Sequence, residues 1–345
     1  MKILVTGGSG YIASWIISYL LEDGQSVVAT VRDKSNTEKA GHLLRMAEEK
    51  KGSLELHEAD LLEEGSFEGP VKGCDIVIHT ASPFKITGIK DARKELIEPA
   101  VEGTRNVLKA VNGEPSVQKV VLTSSVAAIF GDNEDILFTS GKQFNDQNWN
   151  HTSSPEHHPY AYSKTIAEEE AWKMVNEQKR WRLAVINPGL VTGPSLSKRK
   201  DSFSINLIIT MLNGTYKWGL PRMYFGLADV RDVARAHVLA AFDSGAAGRF
   251  IIVSETKTTL EMAEILRNYL GEKYKIPKRK IPKLLLYLFG PFQGFTWKYI
   301  NLNVNIPVNF DTGKAQKRLK MDFIPVQKSL QDQADQIIKD KLLNI

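Results

Sequence analysis

The sequence predicts a doubly wound α/β protein, a parallel sheet with helices on both faces and a smaller C-terminal lobe. Three observations support this fold class. Apolar, β-rich runs alternate with helix-period segments through the first half of the chain. The first strand runs directly into a glycine-rich turn and a helix, and the alternation loosens after Gly189. Such alternation places ligands at the carboxyl ends of the strands.

The predicted elements divide the chain into two parts. Strands are expected at 2–7, 26–32, 54–60, 74–82, 119–125, 182–189 and 249–255. Helices are expected at 11–23, 37–50, 91–112, 161–179 and 227–242. We therefore assign residues 1–189 and 226–255 to a dinucleotide-binding domain, and residues 190–225 and 256–345 to a substrate-binding lobe.

Composition excludes several classes of protein. The 345 residues are 42% hydrophobic and 25% charged, as in ordinary globular proteins. The net charge is +5, but the lysine and arginine residues are spread along the chain and mixed with acidic residues. Their densest cluster, Lys198-Arg199-Lys200, is predicted to be a solvated loop rather than a nucleic-acid site. The single cysteine, Cys74, excludes an internal disulfide and favours a reducing compartment, so a cytoplasmic location is expected. We also expect the protein to be a monomer or a homodimer.

Two apolar segments resemble membrane segments only superficially. The N-terminal run is interrupted by Gly7, Gly8 and Gly10, which argues against a secretory signal. The run "LLLYLFGPFQGF" (284–295) is too short and too broken by glycine and proline to span a bilayer. We predict that it lines a pocket or packs as core, with weak contact to a membrane surface left open and no stable insertion.

The turn "VTGGSGYIA" indicates a dinucleotide site. Gly7, Gly10 and the small Ala13 follow a strand and open a helix, where backbone N–H groups and the helix dipole hold a pyrophosphate. An ordinary tight turn would also place glycines here, but the strand before it and the helix after it favour a Rossmann-type domain.

The end of the second strand predicts which dinucleotide binds. Arg32 precedes Asp33, and its planar guanidinium suits a 2′-phosphate, with Lys39 as a second charge; NADPH is favoured over NADH. Asp60 is suited to the adenine amino group or, equally, to a helix N-cap. His79, beside the expected cofactor groove, is interpreted as structural.

The segment "YAYSKT" predicts the chemistry. Residues four apart share a helix face, so Tyr160 and Lys164 converge while Tyr162 points elsewhere. A nearby ammonium and a positive nicotinamide ring would both lower the pKa of the Tyr160 phenol and fit it for acid catalysis toward a carbonyl. Ser125, at the end of its strand, is placed to polarise the carbonyl oxygen.

As a set, these motifs resemble the extended short-chain dehydrogenase/reductases. The nearest branch contains dihydroflavonol reductases, cinnamoyl-CoA reductases and microbial aldehyde or methylglyoxal reductases. The resemblance covers nearly the whole chain and rests on "VTGGSGYIA", "VVATVRD", "DIVIHTASP", "EPAVEGTRNVL", "VVLTSS", "YAYSKTIAEEEAW" and "VINPGLVTGP".

The resemblance implies the residue roles. Tyr160 would donate the proton, Lys164 would hold the nicotinamide ribose and lower the tyrosine pKa, and Ser125 would bind the substrate oxygen. Ser124 competes with Ser125, but strand alternation sends the two side chains to opposite faces and the family interval favours Ser125. The predicted cofactor contacts are Gly7, Gly10, Tyr11, Ile12, Arg32, Lys39, Asp60, Leu61, Thr80, Ala81, Ser82, Tyr160, Lys164, Pro188, Gly189, Leu190 and Val191.

The substrate is less well defined by sequence. Phe84, Phe130, Leu190 and Tyr224 are candidates for an apolar pocket, although packing in the core would explain each of them equally well. No metal is expected, because His151, His157 and His158 fit no common zinc spacing and are predicted to lie in a surface loop.

We therefore expect an NADPH-dependent reductase of aldehydes or ketones. A dihydroflavonol or cinnamoyl-CoA type of reductase, a 3β-hydroxysteroid dehydrogenase and a sugar-nucleotide epimerase or dehydratase are alternative activities on the same fold. A sensor that binds NADP(H) without catalysis is an alternative of a different class.

Overall fold

A seven-stranded parallel sheet forms the centre of the molecule. The computed structural model describes residues 1–82 and 91–343, and of Gln293 only the backbone. The strands of this sheet are β1 (Lys2–Thr6), β2 (Ser26–Val31), β3 (Ser53–Glu58), β4 (Ile76–His79), β5 (Lys119–Thr123), β6 (Arg182–Pro188) and, after two further strands, β9 (Gly248–Ile252). Their order is β3-β2-β1-β4-β5-β6-β9. The order reverses between β1 and β4, which opens a crevice at the carboxyl ends of these two strands.

Helices cover both faces of the sheet. They are α1 (Tyr11–Glu22), α2 (Thr37–Glu49), α3 (Glu68–Val71), α4 (Glu98–Gly113), α5 (Pro159–Asn176), α6 (Phe203–Leu212), α7 (Val230–Phe242), α8 (Thr259–Leu270), α9 (Lys283–Phe289), α10 (Trp297–Asn303), α11 (Gly313–Leu319) and α12 (Val326–Lys339). Buried residues of α1, α2, α7 and α11 share one apolar cluster with the sheet, and those of α3, α4 and α5 share another. The predicted doubly wound fold is therefore confirmed.

A second, three-stranded sheet lies after β6. It consists of β7 (Leu190–Thr192), β8 (Tyr224–Asp229) and β10 (Glu255–Thr258), with β8 in the middle. Apolar residues of α6, α8 and α12 form a separate core cluster around Leu227 of β8. The exact division into two domains remains a prediction.

The predicted helix at 227–242 was wrong at its beginning. Residues 227–229 continue β8, because Leu227 pairs with both Leu190 of β7 and Glu255 of β10. The helix begins after Asp229, whose Oδ1 accepts a hydrogen bond from the Arg231 amide at 2.8 Å. An aspartate that satisfies a free amide of the first turn is a typical helix N-cap.

The apolar run 284–295 was predicted to line a pocket or to pack as core, but most of its large apolar side chains are exposed. In α9 only Leu286 is buried, whereas Leu284 is 70% exposed and Phe289 is 62% exposed. Within 1–82 and 91–343, no helix combines the length and the apolar character needed to cross a bilayer.

Candidate active site

The glycine-rich turn leaves the N-terminus of α1 open. Gly7 has φ +67°, and a Cβ there would lie 3.0 Å from Ala81 Cα; a Cβ on Gly10 would lie 2.9 Å from the Gly7 carbonyl oxygen. Gly10 is the N-cap of α1, and no side chain of the described residues caps the helix there. The free amides and the helix dipole therefore favour an anion at this point.

The Tyr11 side chain is hydrogen-bonded to the loop after β7. Its side chain is buried and donates a hydrogen bond from the phenol to the Gly193 carbonyl at 2.5 Å, while Trp15 Nε1 donates to the Pro194 carbonyl at 2.9 Å. These bonds fix the loop after β7 beside the glycine-rich turn. Tyr11 and Ile12 were predicted to contact the cofactor. Because the Tyr11 phenol is already hydrogen-bonded to the protein, only the Tyr11 backbone is available for such a contact.

The ends of β2 and β3 carry the predicted selectivity residues. Arg32 and Lys39 are both exposed. Asp33 Oδ1 accepts hydrogen bonds from the amide and hydroxyl of Ser35, which lower the Asp33 pKa and turn its carboxylate toward its own loop. Asp60 Oδ1 accepts from the Leu62 amide at 2.9 Å, so the local turn uses one of its oxygens. Asp60 is exposed, and Leu61 next to it is half-buried.

Arg199 also reaches the glycine-rich turn, which the sequence analysis missed. Its Nη1 donates to the Ser9 carbonyl at 3.1 Å and its Nε to Asp201 Oδ1 at 2.7 Å. Only 19% of its side chain is exposed, whereas Lys198 and Lys200 are exposed as predicted for a solvated loop. The prediction was therefore wrong for Arg199. No local sequence signal distinguishes it from its neighbours.

Lys164 lies beside the end of β4. Its Nζ donates to Ser82 Oγ at 2.9 Å, and burial lowers the Lys164 pKa to about 8. Thr80 Oγ1 donates to the Thr6 carbonyl at 2.6 Å, and the Ala81 amide donates to Thr6 Oγ1 at 3.1 Å. These bonds end β4 at His79 rather than at Ser82, and they hold Thr80, Ala81 and Ser82 at the crevice between β1 and β4.

His79 has a structural environment, as the sequence interpretation expected. It is 2% exposed and its Nδ1 shares a hydrogen bond of 2.7 Å with Thr6 Oγ1. Burial, together with the nearby Lys164 charge, lowers its pKa to about 3. His79 is therefore neutral at physiological pH.

Tyr160 lies in the first turn of α5, one helical turn before Lys164. The Lys164 Nζ is 5.9 Å from the centroid of the Tyr160 ring. Burial raises the Tyr160 pKa to about 12, and a hydrogen bond with Ser125 lowers it in part. Among the protein's own groups, burial raises the Tyr160 pKa and only the Ser125 hydrogen bond opposes it, so the expected lowering by the Lys164 ammonium is not seen. A phenol that stays protonated at neutral pH is suited to donating a proton.

The two candidate serines have different environments. Ser125 is half-buried at the end of β5, where its Oγ accepts from the Ala127 amide at 3.1 Å and hydrogen-bonds with Tyr160. Ser124 is buried and donates to Glu168 Oε2 at 2.5 Å. This geometry favours Ser125 as the serine that meets a substrate, because the framework occupies the Ser124 hydroxyl.

Glu168 organises a buried polar network behind these residues, which sequence reasoning did not find. Its carboxylate accepts from Ser124, from Asn187 Nδ2 at 2.9 Å and from Trp172 Nε1 at 3.1 Å. Arg249 Nε lies 2.6 Å from Glu168 Oε1, in an ion pair whose N–H is not aligned for a hydrogen bond. Asn187 also donates to the Ser125 carbonyl at 3.1 Å. The network thereby supports the backbone of Ser125.

A cavity of about 160 Å³ opens beside Tyr160. Three of the four predicted pocket residues, Phe130, Leu190 and Tyr224, line it. The fourth, Phe84, lies outside the described residues. The lining also includes Met223, Phe225 and Tyr299, so the cavity is mainly apolar.

The segment Pro188–Val191 passes between the two sheets. Pro188 ends β6, and Leu190 and Val191 belong to β7. A Cβ on Gly189 would lie 2.2 Å from the Gly226 carbonyl oxygen, so only glycine fits this approach. The segment therefore connects the strand ends of the main sheet to the apolar cavity.

His157 and His158 do not lie in a surface loop, which corrects the prediction. His157 is buried and its Nε2 lies 2.7 Å from Asp132 Oδ2, while His158 stacks on Tyr299 with ring centroids 4.7 Å apart. His158 also lines the cavity. Only His151 of the three is exposed. The part of the chain that the structure describes contains no group of three metal-ligating side chains close enough for a metal ion.

Comparison with known proteins agrees with this geometry. The family described as NAD dependent epimerase/dehydratase matches residues 3–253. The chain is 35% identical over 347 residues to a cinnamoyl-CoA reductase of Medicago truncatula, covering 99% of this chain and 97% of the relative. It is 36% identical over 322 residues to an anthocyanidin reductase of Vitis vinifera, covering 86% and 90%. The yeast methylglyoxal/isovaleraldehyde reductase complexed with NADPH superposes with a TM-score of 0.80 at 28% identity over 99% of both chains.

The chain belongs to the NAD dependent epimerase/dehydratase family. This confirms the predicted family and the predicted class of enzyme, an oxidoreductase that uses a nicotinamide dinucleotide on carbonyl or alcohol groups. The roles of individual residues at the site remain proposals.

Proposed function

We propose that this oxidoreductase uses NADPH to reduce aldehydes or ketones with mainly apolar substituents to alcohols. The observation that carries the proposal is the convergence of three groups at one place. The protonated phenol of Tyr160 and the hydroxyl of Ser125 are hydrogen-bonded to each other, and the apolar cavity opens beside them. The NADPH of the yeast structural neighbour supports the choice of cofactor.

The chain's own residues would perform the acid chemistry. NADPH, when bound, supplies the hydride. Ser125 donates a hydrogen bond to the carbonyl oxygen and so polarises it, and Tyr160 transfers its proton to that oxygen as negative charge develops there. Lys164, whose Nζ donates to Ser82 Oγ, would hold the nicotinamide ribose. The apolar walls of the cavity exclude water and strengthen both hydrogen bonds.

The cavity favours the substrate class. Phe130, Tyr224 and Leu190 give an apolar surface beside the reacting groups, as an aliphatic or aryl carbonyl requires. The names of the relatives, reductases of cinnamoyl-CoA, of anthocyanidin and of methylglyoxal, support a carbonyl within a small organic molecule. The buried, unpaired thiol Cys74 supports a reducing, cytoplasmic location.

A labelling experiment tests this reaction. With NADPH deuterated at both C4 positions and an aldehyde as substrate, one deuterium should appear on the carbinol carbon of the product by mass spectrometry. The phenolic proton exchanges with water, so the new hydroxyl should carry solvent hydrogen. A product without deuterium at carbon would exclude direct hydride transfer.

Replacing Arg32 should lower the preference for NADPH over NADH. Arg32→Ala removes the exposed guanidinium at the end of β2, and the lost pairing with a 2′-phosphate should weaken NADPH binding by about 10- to 100-fold. NADH, which lacks this phosphate, should bind within about twofold of its original affinity. Fluorescence titration of both cofactors measures the difference, and equal losses for both would contradict phosphate recognition by Arg32.

Replacing Arg199 should weaken both cofactors. Its guanidinium contacts the Ser9 carbonyl within the glycine-rich turn, so we propose that it contributes positive charge to the pyrophosphate site shared by NADPH and NADH. Arg199→Gln should raise the Kd of each about tenfold in the same titration. The exposed neighbour Lys200 provides the matched control, since Lys200→Gln makes the same charge change. Equal behaviour of the two variants would show that Arg199 has no special role.

A further inference from the structure

An exposed apolar surface lies on the α9–α10 side of the molecule. It consists of Leu284, Leu285, Leu288, Phe289, Phe292 and Trp297, which we call the apolar patch. Phe292 is 85% exposed and Trp297 is 66% exposed. Leu286 faces the other way and packs in a cluster with Ile300 and Val304, and Tyr287 packs against the same cluster. These two residues anchor α9, and its other leucines are exposed to solvent.

A second exposed tryptophan belongs to a neighbouring segment. The Leu220 amide donates to the Arg279 carbonyl at 3.0 Å, and the Ile281 amide donates to the Leu220 carbonyl at 2.8 Å. These bonds hold the segment that carries Trp218 beside the approach to α9, and Trp218 is 82% exposed. Exposed tryptophans beside leucine and phenylalanine are typical of surfaces that enter the interfacial layer of a membrane.

The segment that carries the apolar patch has charged side chains of a single sign. Between Glu272 and Asp311 the sequence contains no acidic residue, and it contains seven cations, Lys273, Lys275, Lys278, Arg279, Lys280, Lys283 and Lys298. Lys278 pairs with Glu272 at 2.9 Å, and all but Lys283 are exposed. The segment from 273 to 310 is therefore strongly basic, whereas the chain as a whole carries only +5.

We propose that the apolar patch docks on the surface of a bilayer that contains anionic phospholipids. Its leucine, phenylalanine and tryptophan side chains enter the boundary between headgroups and acyl chains, and the surrounding lysine and arginine side chains contact the phosphates. A second copy of this chain fits the patch less well. A symmetric dimer through this face would bring the same basic segment together twice, with like charges opposed.

Docking would also orient the active site. Helix α10 supplies Tyr299 and Asn303 to the lining of the cavity, and Leu286 of α9 packs in the same cluster as the lining residue Met223. The bilayer would therefore lie next to the elements that form one wall of the cavity. Apolar carbonyl compounds partition from water into the bilayer, so the active site would lie close to them. The docking itself does not depend on the proposed reaction, because vesicle binding is measured without any substrate.

Co-sedimentation with vesicles tests the proposal. The full-length protein should bind vesicles of phosphatidylcholine and phosphatidylglycerol in equal parts, and only weakly vesicles of phosphatidylcholine alone. Phe292→Ser should lower the apparent partition constant for the anionic vesicles about tenfold. The double variant Arg279→Gln with Lys280→Gln should lower it by a similar factor, and raised salt should mimic that loss.

Matched controls separate the patch from general effects. Phe242→Ser removes an exposed phenylalanine at the end of α7, and Lys173→Gln with Lys179→Gln removes two exposed charges from another surface. Both should bind anionic vesicles like the original protein, and thermal unfolding checks that all variants fold. Binding that the patch variants do not reduce would overturn the proposal. The proposal would also be overturned if the protein does not bind vesicles and instead forms a dimer that Phe292→Ser separates. Light scattering detects such a dimer.

Discussion

Tyr160→Phe should lower kcat for carbonyl reduction by about 10²- to 10⁴-fold, while the affinity for NADPH stays within about twofold. The substitution removes only the phenolic oxygen, so the half-buried ring in the first turn of α5 is retained. The substrate oxygen then has no other proton donor in a comparable position. Steady-state NADPH oxidation measures the loss, and fluorescence titration measures cofactor binding.

Tyr162 provides the control for this experiment. It lies two residues further along α5, on a different face of the helix, and no role at the site is assigned to it. Tyr162→Phe should retain kcat within about twofold. If Tyr160→Phe retains turnover, or loses turnover and NADPH affinity together, Tyr160 is not the proton donor.

Glu168→Gln should destabilise the fold by about 3–5 kcal/mol. The carboxylate is buried and is surrounded by donors from Ser124, Asn187 and Trp172, with the Arg249 guanidinium at 2.6 Å. A glutamine would place N–H groups against donors and leave the buried Arg249 charge without its partner. Urea denaturation followed by circular dichroism measures the change in the free energy of unfolding.

The adjacent Glu169 gives a matched comparison, because it is exposed on the same helix. Glu169→Gln should change the free energy of unfolding by less than about 0.5 kcal/mol. Removing both members of the pair, with Glu168→Gln and Arg249→Met together, should cost less than the sum of the two single changes. Additive costs would mean that Glu168 and Arg249 do not stabilise each other.

Signals that lie close together in the sequence predicted how the residues at the centre of the candidate site are placed. The glycine-rich turn, and the spacing of Tyr160 and Lys164 on one helix face, are set by residues close in sequence. The choice of Ser125 over Ser124 followed from the family interval, and the hydrogen bond from Ser124 to Glu168 gives a physical reason that supports it.

The features that sequence reasoning missed depend on contacts between distant segments. Arg249 meets Glu168 across 81 positions of the chain, calculated as 249 minus 168, and Arg199 meets Ser9 only because the loop after β7 is fixed beside α1. His157 was predicted to be solvated because its contact with Asp132, 25 residues earlier in the chain, is not visible in the local sequence. The start of α7 was misplaced because Leu227 gains more from pairing in the small sheet than from an extra helical turn.

The most direct test of the account is NADPH oxidation by the purified protein with a panel of aliphatic, aryl and α-dicarbonyl substrates. Dihydroflavonol, cinnamoyl-CoA and steroid ketones should be included, and NADH should be measured in parallel. The account predicts turnover with apolar aldehydes or ketones and a clear preference for NADPH. Demonstrated NADPH binding without oxidation on any carbonyl of the panel would contradict it.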